Sequence, residues 1–226
     1  MAEGRSPARE ASRQPELRVV GEDAGQSLRE LSDISLMLAH AEGSEPAFEE
    51  LVRRHQKGVL NYVFRMVQDR QVAEELTQEV FLALVKNAKR YKPAAKFTTY
   101  LYAIASNIVS KEWMRRKRRP FHFSLSAPWR RSQKDEDDYD PLEHVSDEKV
   151  DPAAHYQRHE ISEAVNEALK ELPEHQREAF VLRRFQDLSY DEIAAVTNAP
   201  VGTVKSRVVR AERALRPLLG SLGEYL

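Results

Sequence analysis

The distribution of charge along this chain constrains its fold more than any other feature. Between Ala103 and Lys134 nine basic residues face a single acid, Glu112, for a net of +8; between Asp135 and Asp151 nine acids face a single base, Lys149, for a net of −8. Like-charge blocks this dense resist packing and usually mark tails, linkers or interaction surfaces. The 226 residues have room for one large domain or two small ones, and the reversal of charge, followed by Asp140-Pro141 and Asp151-Pro152, marks the segment between two helical stretches as a linker. The formal net charge of −1 hides this asymmetry and gives no reason on its own to expect a nucleic-acid partner.

The apolar pattern on both sides is helical. Phe48, Leu51, Val52, Val59, Leu60, Val63, Phe64 and Val67 recur at three- and four-residue steps after Glu45-Pro46, which predicts one amphipathic helix, frayed at Gly58. A second helix follows Asp69, with Leu76, Val80, Phe81, Leu84 and Val85 on one side and Glu74, Glu75, Gln78 and Glu79 largely on the other, and Pro93 breaks the pattern. A third is expected to start at Thr98 or Thr99 as a capping residue and to pass Leu101, Ile104, Ile108, Val109 and Trp113 before the basic run Arg115–Arg119. Beyond the charged segment, helical spacing returns at Ile161, Val165, Leu169 and Leu172 and restarts with Pro173 as a first helical residue.

Ser189-Tyr190-Asp191-Glu192 is a capping box, and Asn198 suits a left-handed helix exit. A last helix, predicted from Val201 to Leu215, shows Lys205, Arg207, Arg210, Arg213 and Arg216 against one acid, Glu212. Two short helices joined by three or four residues, the second opening in small and hydroxyl residues followed by bases, form a helix-turn-helix whose second helix fits the major groove. The expected fold is all-α: a disordered extension over residues 1–27, a helical domain over 28–119 with its core at 47–117, a flexible acidic linker over 120–153 and a helix-turn-helix domain over 154–222.

Composition removes several other classes. With no cysteine there is no disulfide scaffold, Cys-ligated metal or thiol nucleophile. A phosphate-cradling glycine loop, a GxSxG elbow and a dinucleotide fingerprint are all missing, and His155 and His159, four apart, have no further ligand set, so the expectation is a non-enzyme without cofactor or metal. No apolar run approaches the roughly 20 residues that span a bilayer, and the polar first 27 residues are unlike a secretory signal. A cytoplasmic protein without membrane insertion is expected.

The segment LPEHQREAFVLRRFQDLSYDEIAAVTNAPVGTVKSRVVRAERAL, residues 172–215, resembles region 4 of extracytoplasmic-function sigma factors of the sigma-70 family, the promoter-recognition subunits of bacterial RNA polymerase, with GTVKSR at 202–207 its most specific part. AFEELVRRHQKGVLNYVFRMVQDRQVAEELTQEVF and FTTYLYAIASNIV, within residues 47–117, are similar to region 2 of the same family. The resemblance implies promoter-specific initiation with core RNA polymerase, bound through its clamp coiled coil and flap. It assigns Glu74, Glu75, Gln78 and Glu79 to the clamp, and it implies an anti-sigma factor as a further partner.

The resemblance assigns minus-ten contacts to Lys96, Phe97, Tyr100 and Asn107, with Lys111, Arg115, Arg116 and Arg118 on phosphates, and minus-thirty-five contacts to Thr203, Lys205, Ser206, Arg207 and Arg210. Of these Arg207 is the expected base reader, since a guanidinium grips guanine bidentately. Ala103 and Ile104 stand where housekeeping factors carry a Trp pair, which implies weaker duplex opening, and Ser106 stands where many members have Arg. The competing function is a free-standing helix-turn-helix regulator that acts without polymerase.

Overall fold

The computed structural model describes residues 28–118 and 152–220, and within the second stretch the side chains from residue 161 onward. The expected extension and most of the acidic linker lie outside the described residues.

The N-terminal domain is a bundle of α1 (Asp33–Ala41), α2 (Glu45–Val67), α3 (Arg70–Asn87) and α4 (Phe97–Arg118), with a 3-10 turn at Ala88–Arg90. Capping residues set three of the starts: Ser32, Ser44 and Asp69 accept from the backbone amides of Ser35, Ala47 and Val72. Gln68 closes α2 in the left-handed region at φ 55°. α2 packs against α1, α3 and α4, and α3 packs on α4. Leu36, Leu51, Val63, Leu84 and Leu101 are fully buried between them, each worth about 2 kcal/mol of removed apolar surface.

Four local expectations change. α1 carries too short a pattern to stand out in the sequence, yet its Leu36 and Met37 are completely buried. α2 runs through Gly58 without fraying. α4 starts at Phe97, so Thr98 and Thr99 lie inside its first turn instead of capping it. Burial of Phe97 anchors the turn early, and the amide of Tyr100 bonds the carbonyl of Lys96 at 3.3 Å. Pro173 is the cap of the helix Glu174–Arg184, its ψ of 140° placing it just outside, and its carbonyl accepts from the amides of Gln176 and Arg177.

The C-terminal domain comprises α5 (Pro152–Lys170), α6 (Glu174–Arg184), α7 (Tyr190–Thr197) and α8 (Val201–Leu219). α5 opens two residues before the expected boundary at 154, on a proline suited to a first helical position. α8 outruns its expected end at Leu215 by one turn, despite Pro217, because Leu219 extends the buried stripe of Val204, Val208, Ala211 and Leu215. α8 is the hub on which α5, α6 and α7 pack.

Candidate nucleic-acid and polymerase interfaces

The helix-turn-helix forms as its local sequence requires. Ser189 accepts the Glu192 amide at 3.3 Å while the Glu192 carboxylate accepts the Ser189 amide at 2.7 Å, completing the capping box. That backbone bond, with the Ser189 hydroxyl and Lys96 behind it, holds the Glu192 carboxyl down at about 2. Asn198 takes the left-handed conformation, φ 48° and ψ 47°, and three residues later α8 departs. Ile193 and Val196 of α7 are buried in the same core as Val204 and Val208 of α8, which sets the crossing of the two helices.

Thr203, Lys205, Ser206 and Arg210 are exposed on the outer side of α8, together with Arg213 and Arg216. Arg207 departs from the group. It sits at the inner edge of α8, half-buried, where its charge acts on Glu178 of α6. The sequence pattern placed all five on one helix end; only the packed core separates Arg207 from the other four.

On α4, Tyr100, Asn107 and Lys111 follow one another at steps of seven and four and share a face. Asn107 and Lys111 are exposed, and Tyr100 is half-buried against Tyr91, with ring centroids 5.0 Å apart. Phe97 corrects the expectation of a stacking ring: it is 3% exposed, wedged against His55 at 5.2 Å and Tyr91 at 6.4 Å, and belongs to the core. Lys96 is exposed but paired with Glu192 at 3.0 Å. Arg115 and Arg116 both bind the buried Glu112, and their hydrogen bonds, Arg115's first, keep its carboxyl below the ordinary range. Lys111, Met114, Arg115 and Arg118 line a shallow basic depression at the end of the helix.

Glu74, Glu75, Gln78 and Glu79 are all exposed on α3, and the structure divides them into two pairs. Glu75 and Glu79 lie where their charges act on Arg115. Glu74 and Gln78 rim a groove of about 610 Å³ between α2 and α3, floored by Phe48, Val52, Leu60 and Phe81 and edged by Leu82 and Val85. Leu82 is 55% exposed and Val85 40%. The expected acidic face is therefore half of a mixed apolar and polar surface. Leu82 escaped notice because it lies off the apolar stripe, which was itself the available signal: a large aliphatic residue with no core to fill.

Two helical domains, one with a helix-turn-helix and a basic second helix, the other with a basic helix beside an apolar groove, have the architecture of a DNA-binding factor. Among the described residues no helix is long and apolar enough to cross a membrane. Comparison with known proteins specifies the class. The family model for sigma-70 region 2 matches residues 51–119, and that for sigma-70, region 4, matches residues 162–215. The RNA polymerase sigma-H factor of Pseudomonas aeruginosa is 34% identical over 181 residues, which is 78% of this chain and 90% of that protein. The ECF RNA polymerase sigma-E factor of Escherichia coli K12 is 31% identical over 186 residues, 82% of this chain and 93% of the relative. CnrH, solved in complex with the cytosolic domain of CnrY, has the same fold at a TM-score of 0.56 and 23% identity, over 83% of this chain and 96% of its own. The sigma factor RpoE of Bartonella quintana, solved with the anti-sigma factor NepR, gives 0.54 at 21% identity, over 76% and 96%.

The chain belongs to the sigma-70 family, among its extracytoplasmic-function RNA polymerase sigma factors. It is a transcription initiation factor and not an enzyme, of the kind that binds core RNA polymerase and promoter DNA.

Proposed function

We propose that α8 reads the minus-thirty-five element through Thr203, Lys205, Ser206 and Arg210, with Arg207 joining once it leaves the inner edge. The exposed face of α4, Tyr100, Asn107 and Lys111, meets the minus-ten element, with Arg115, Arg116 and Arg118 on phosphates. The observation that carries this assignment is that Thr203, Lys205, Ser206 and Arg210 are exposed at the start of a helix whose other face is fully packed. Lys96 contributes only after its pair with Glu192 opens, and Phe97 acts from the core, through the Tyr91 ring on which both it and Tyr100 pack.

Run-off transcription with core polymerase tests this. Promoter-specific transcripts are expected with the wild-type factor and a loss of at least tenfold with Lys205→Ala/Arg207→Ala, since base contacts of this kind are each worth about 1–3 kcal/mol. DNA binding without any stimulation of polymerase would instead indicate a free-standing regulator.

The groove between α2 and α3 is assigned to the polymerase clamp, with Glu74 and Gln78 giving its polar rim and Leu82 and Val85 its apolar anchor. Leu82→Asp is expected to weaken core binding by more than tenfold in a competition assay, because the complex would bury a carboxylate against apolar surface. The fold of region 2 should survive, since Leu82 is exposed in the free factor. Undiminished affinity would place the docking surface elsewhere. An anti-sigma partner and a cytoplasmic location complete the proposal; relatives of this fold are solved with the cytosolic domain of CnrY and with NepR.

A further inference from the structure

The side chains of α8 assigned to the minus-thirty-five element are not held alike. Thr203 and Ser206 are short, so the helix backbone sets their reach, and Arg210 stands exposed on the outer side. Arg207 faces inward, where its charge acts on Glu178, an acid 2% exposed that accepts from the hydroxyls of Tyr62 at 3.1 Å and Ser106 at 2.5 Å. Lys205 has a different support: its ammonium lies over the ring of Tyr190, the first residue of α7, 5.7 Å from the centroid. We propose that Tyr190 is a positioning residue for promoter recognition, whose ring aims Lys205 at one base pair of the minus-thirty-five element and so turns a general phosphate contact into a sequence-specific one. The proposal rests on the assignment of Lys205 to that element.

A lysine in this place needs such help. Its ammonium is a compact point charge on a flexible stem with three rotatable donors, and beside DNA it settles on phosphate unless it is restrained, whereas arginine carries a preorganised fork. Restraint on a helix comes from side chains three and four positions away, and for Lys205 these are Val201, Gly202, Val208 and Val209. None of those side chains accepts a hydrogen bond or carries a charge. Val208 is packed in the core, and at Gly202 there is open space where a Cβ would stand. The contact that α8 cannot supply comes from the neighbouring helix instead.

The ring is itself fixed. Tyr190 follows the cap Ser189, and the capping box with Glu192 sets the turn on which it sits. It is half-buried and packs against the core. From α6 the Arg183 guanidinium also lies over the ring, 5.3 Å from the centroid, while its Nη1 donates to the Leu188 carbonyl at 3.2 Å. Leu188 is 3% exposed, so Arg183 is tied to buried backbone. Lys205, exposed on its flexible stem, is therefore the partner whose position the ring decides. Repulsion between the two cations favours Lys205 rotamers that point away from Arg183, toward the outer side of α8.

The size of the effect follows from the chemistry. An exposed ammonium over an aromatic face gains enough to change its population about two- to fivefold. The ring occupies one side of the ammonium and leaves donors for guanine O6 and N7. In the sequence Tyr190 is one letter of a capping box; only the crossing of α7 and α8 brings its ring to Lys205.

The test separates aim from affinity. Holoenzyme made from core polymerase and the full-length factor is assayed by run-off transcription on promoters carrying every single substitution in the minus-thirty-five element. Lys205→Ala should lose discrimination at one base pair. Tyr190→Leu is expected to lose about two- to fivefold of the discrimination at that same base pair, with the ratios at other positions unchanged. Tyr190→Phe keeps the ring without the hydroxyl and should match the wild type. Tyr190→Leu/Lys205→Ala should be no worse there than Lys205→Ala alone. A lost phosphate contact or a loosened domain would weaken all sequences alike. A uniform loss with Tyr190→Leu, an equal defect in Tyr190→Phe, or additive losses in the double variant would each overturn the proposal.

A second measurement does not depend on transcription. In the full chain with labelled lysine, a ring-current shift of the Lys205 ε-methylene protons should be present in the wild type and Tyr190→Phe and absent in Tyr190→Leu; its absence from the wild type would overturn the proposal. If Lys205→Ala changes discrimination at no position, the assignment of Lys205 to the element falls and the role of Tyr190 with it. A loss with Lys205→Ala but none with Tyr190→Leu removes the positioning role alone.

Discussion

Replacing Arg54 by alanine is expected to destabilise region 2 by about 3 kcal/mol, measured as a fall in the urea midpoint. Every arm of this guanidinium is used. Nε donates to Glu50 at 2.7 Å, Nη1 to Asp33 and the Leu31 carbonyl, and Nη2 to the carbonyls of Leu28 and Arg29. One side chain on α2 therefore fastens the whole approach to α1, more than twenty residues earlier in the chain. Without it three carbonyls lose a donor, and Glu50, which is buried, keeps only Arg53. Lysine should rescue little, since one ammonium cannot reproduce a five-donor fork.

The same cluster governs behaviour in acid. Hydrogen bonds from Arg53 and then Arg54 outweigh burial and hold the Glu50 carboxyl at about 2, and His55 with Arg54 holds Asp33 below its ordinary value. Carboxyls depressed in the folded state contribute stability that is complete above their unfolded values, 4.5 for Glu50 and 3.8 for Asp33, and is lost as pH falls below them, for Glu50 down to about 2. The wild-type factor should lose stability through that window, and Arg54→Ala should show a shallower loss because part of the depression is already gone. The effect reaches the face of α4 proposed to meet DNA: His55, paired with Asp33 at 2.9 Å, packs on Phe97, the first residue of α4, and Phe97 and Tyr100 both pack on the ring of Tyr91.

What the sequence revealed and what it concealed divide along the range of the forces involved. The Ser189–Glu192 capping box and the Asn198 exit involve residues within a turn of one another, and both form as their local chemistry dictates. The exposed bases of α8 and the exposed acids of α3 follow from helical period alone. The errors share another origin. Phe97 turned inward, α4 began ahead of the threonines expected to cap it and α8 ran past Pro217 because burial against distant elements overrode local preference. Glu178 could not be singled out: a glutamate in a charged helix is ordinarily a solvated one, and the hydroxyls that bury it are 116 and 72 residues away. Half-exposed Arg207 and the groove edged by Leu82 belong to the same category, since a helical wheel shows faces but not which of them meets a neighbour.

Ile193→Ala should cost region 4 about 2–5 kcal/mol, the usual range for emptying a fully buried aliphatic site. Ile193 is completely buried in the core that α7 shares with Val204, Val208 and Ala211 of α8. A domain of about 70 residues has only a few kcal/mol in reserve, so much of region 4 should unfold at growth temperature while region 2 keeps its own core. Val209→Ala, on the exposed side of α8, is the control, and its effect should stay within about 0.5 kcal/mol. The two domains should then respond differently in function: Ile193→Ala should retain core-polymerase binding through the groove of region 2 and lose transcription from promoters that depend on the minus-thirty-five element. Thermal melting and run-off transcription on promoters with and without that element check both halves. Equal loss on the two promoter types would mean that region 4 supports polymerase binding as strongly as it reads DNA, and the division of labour between α3 and α8 would have to be redrawn.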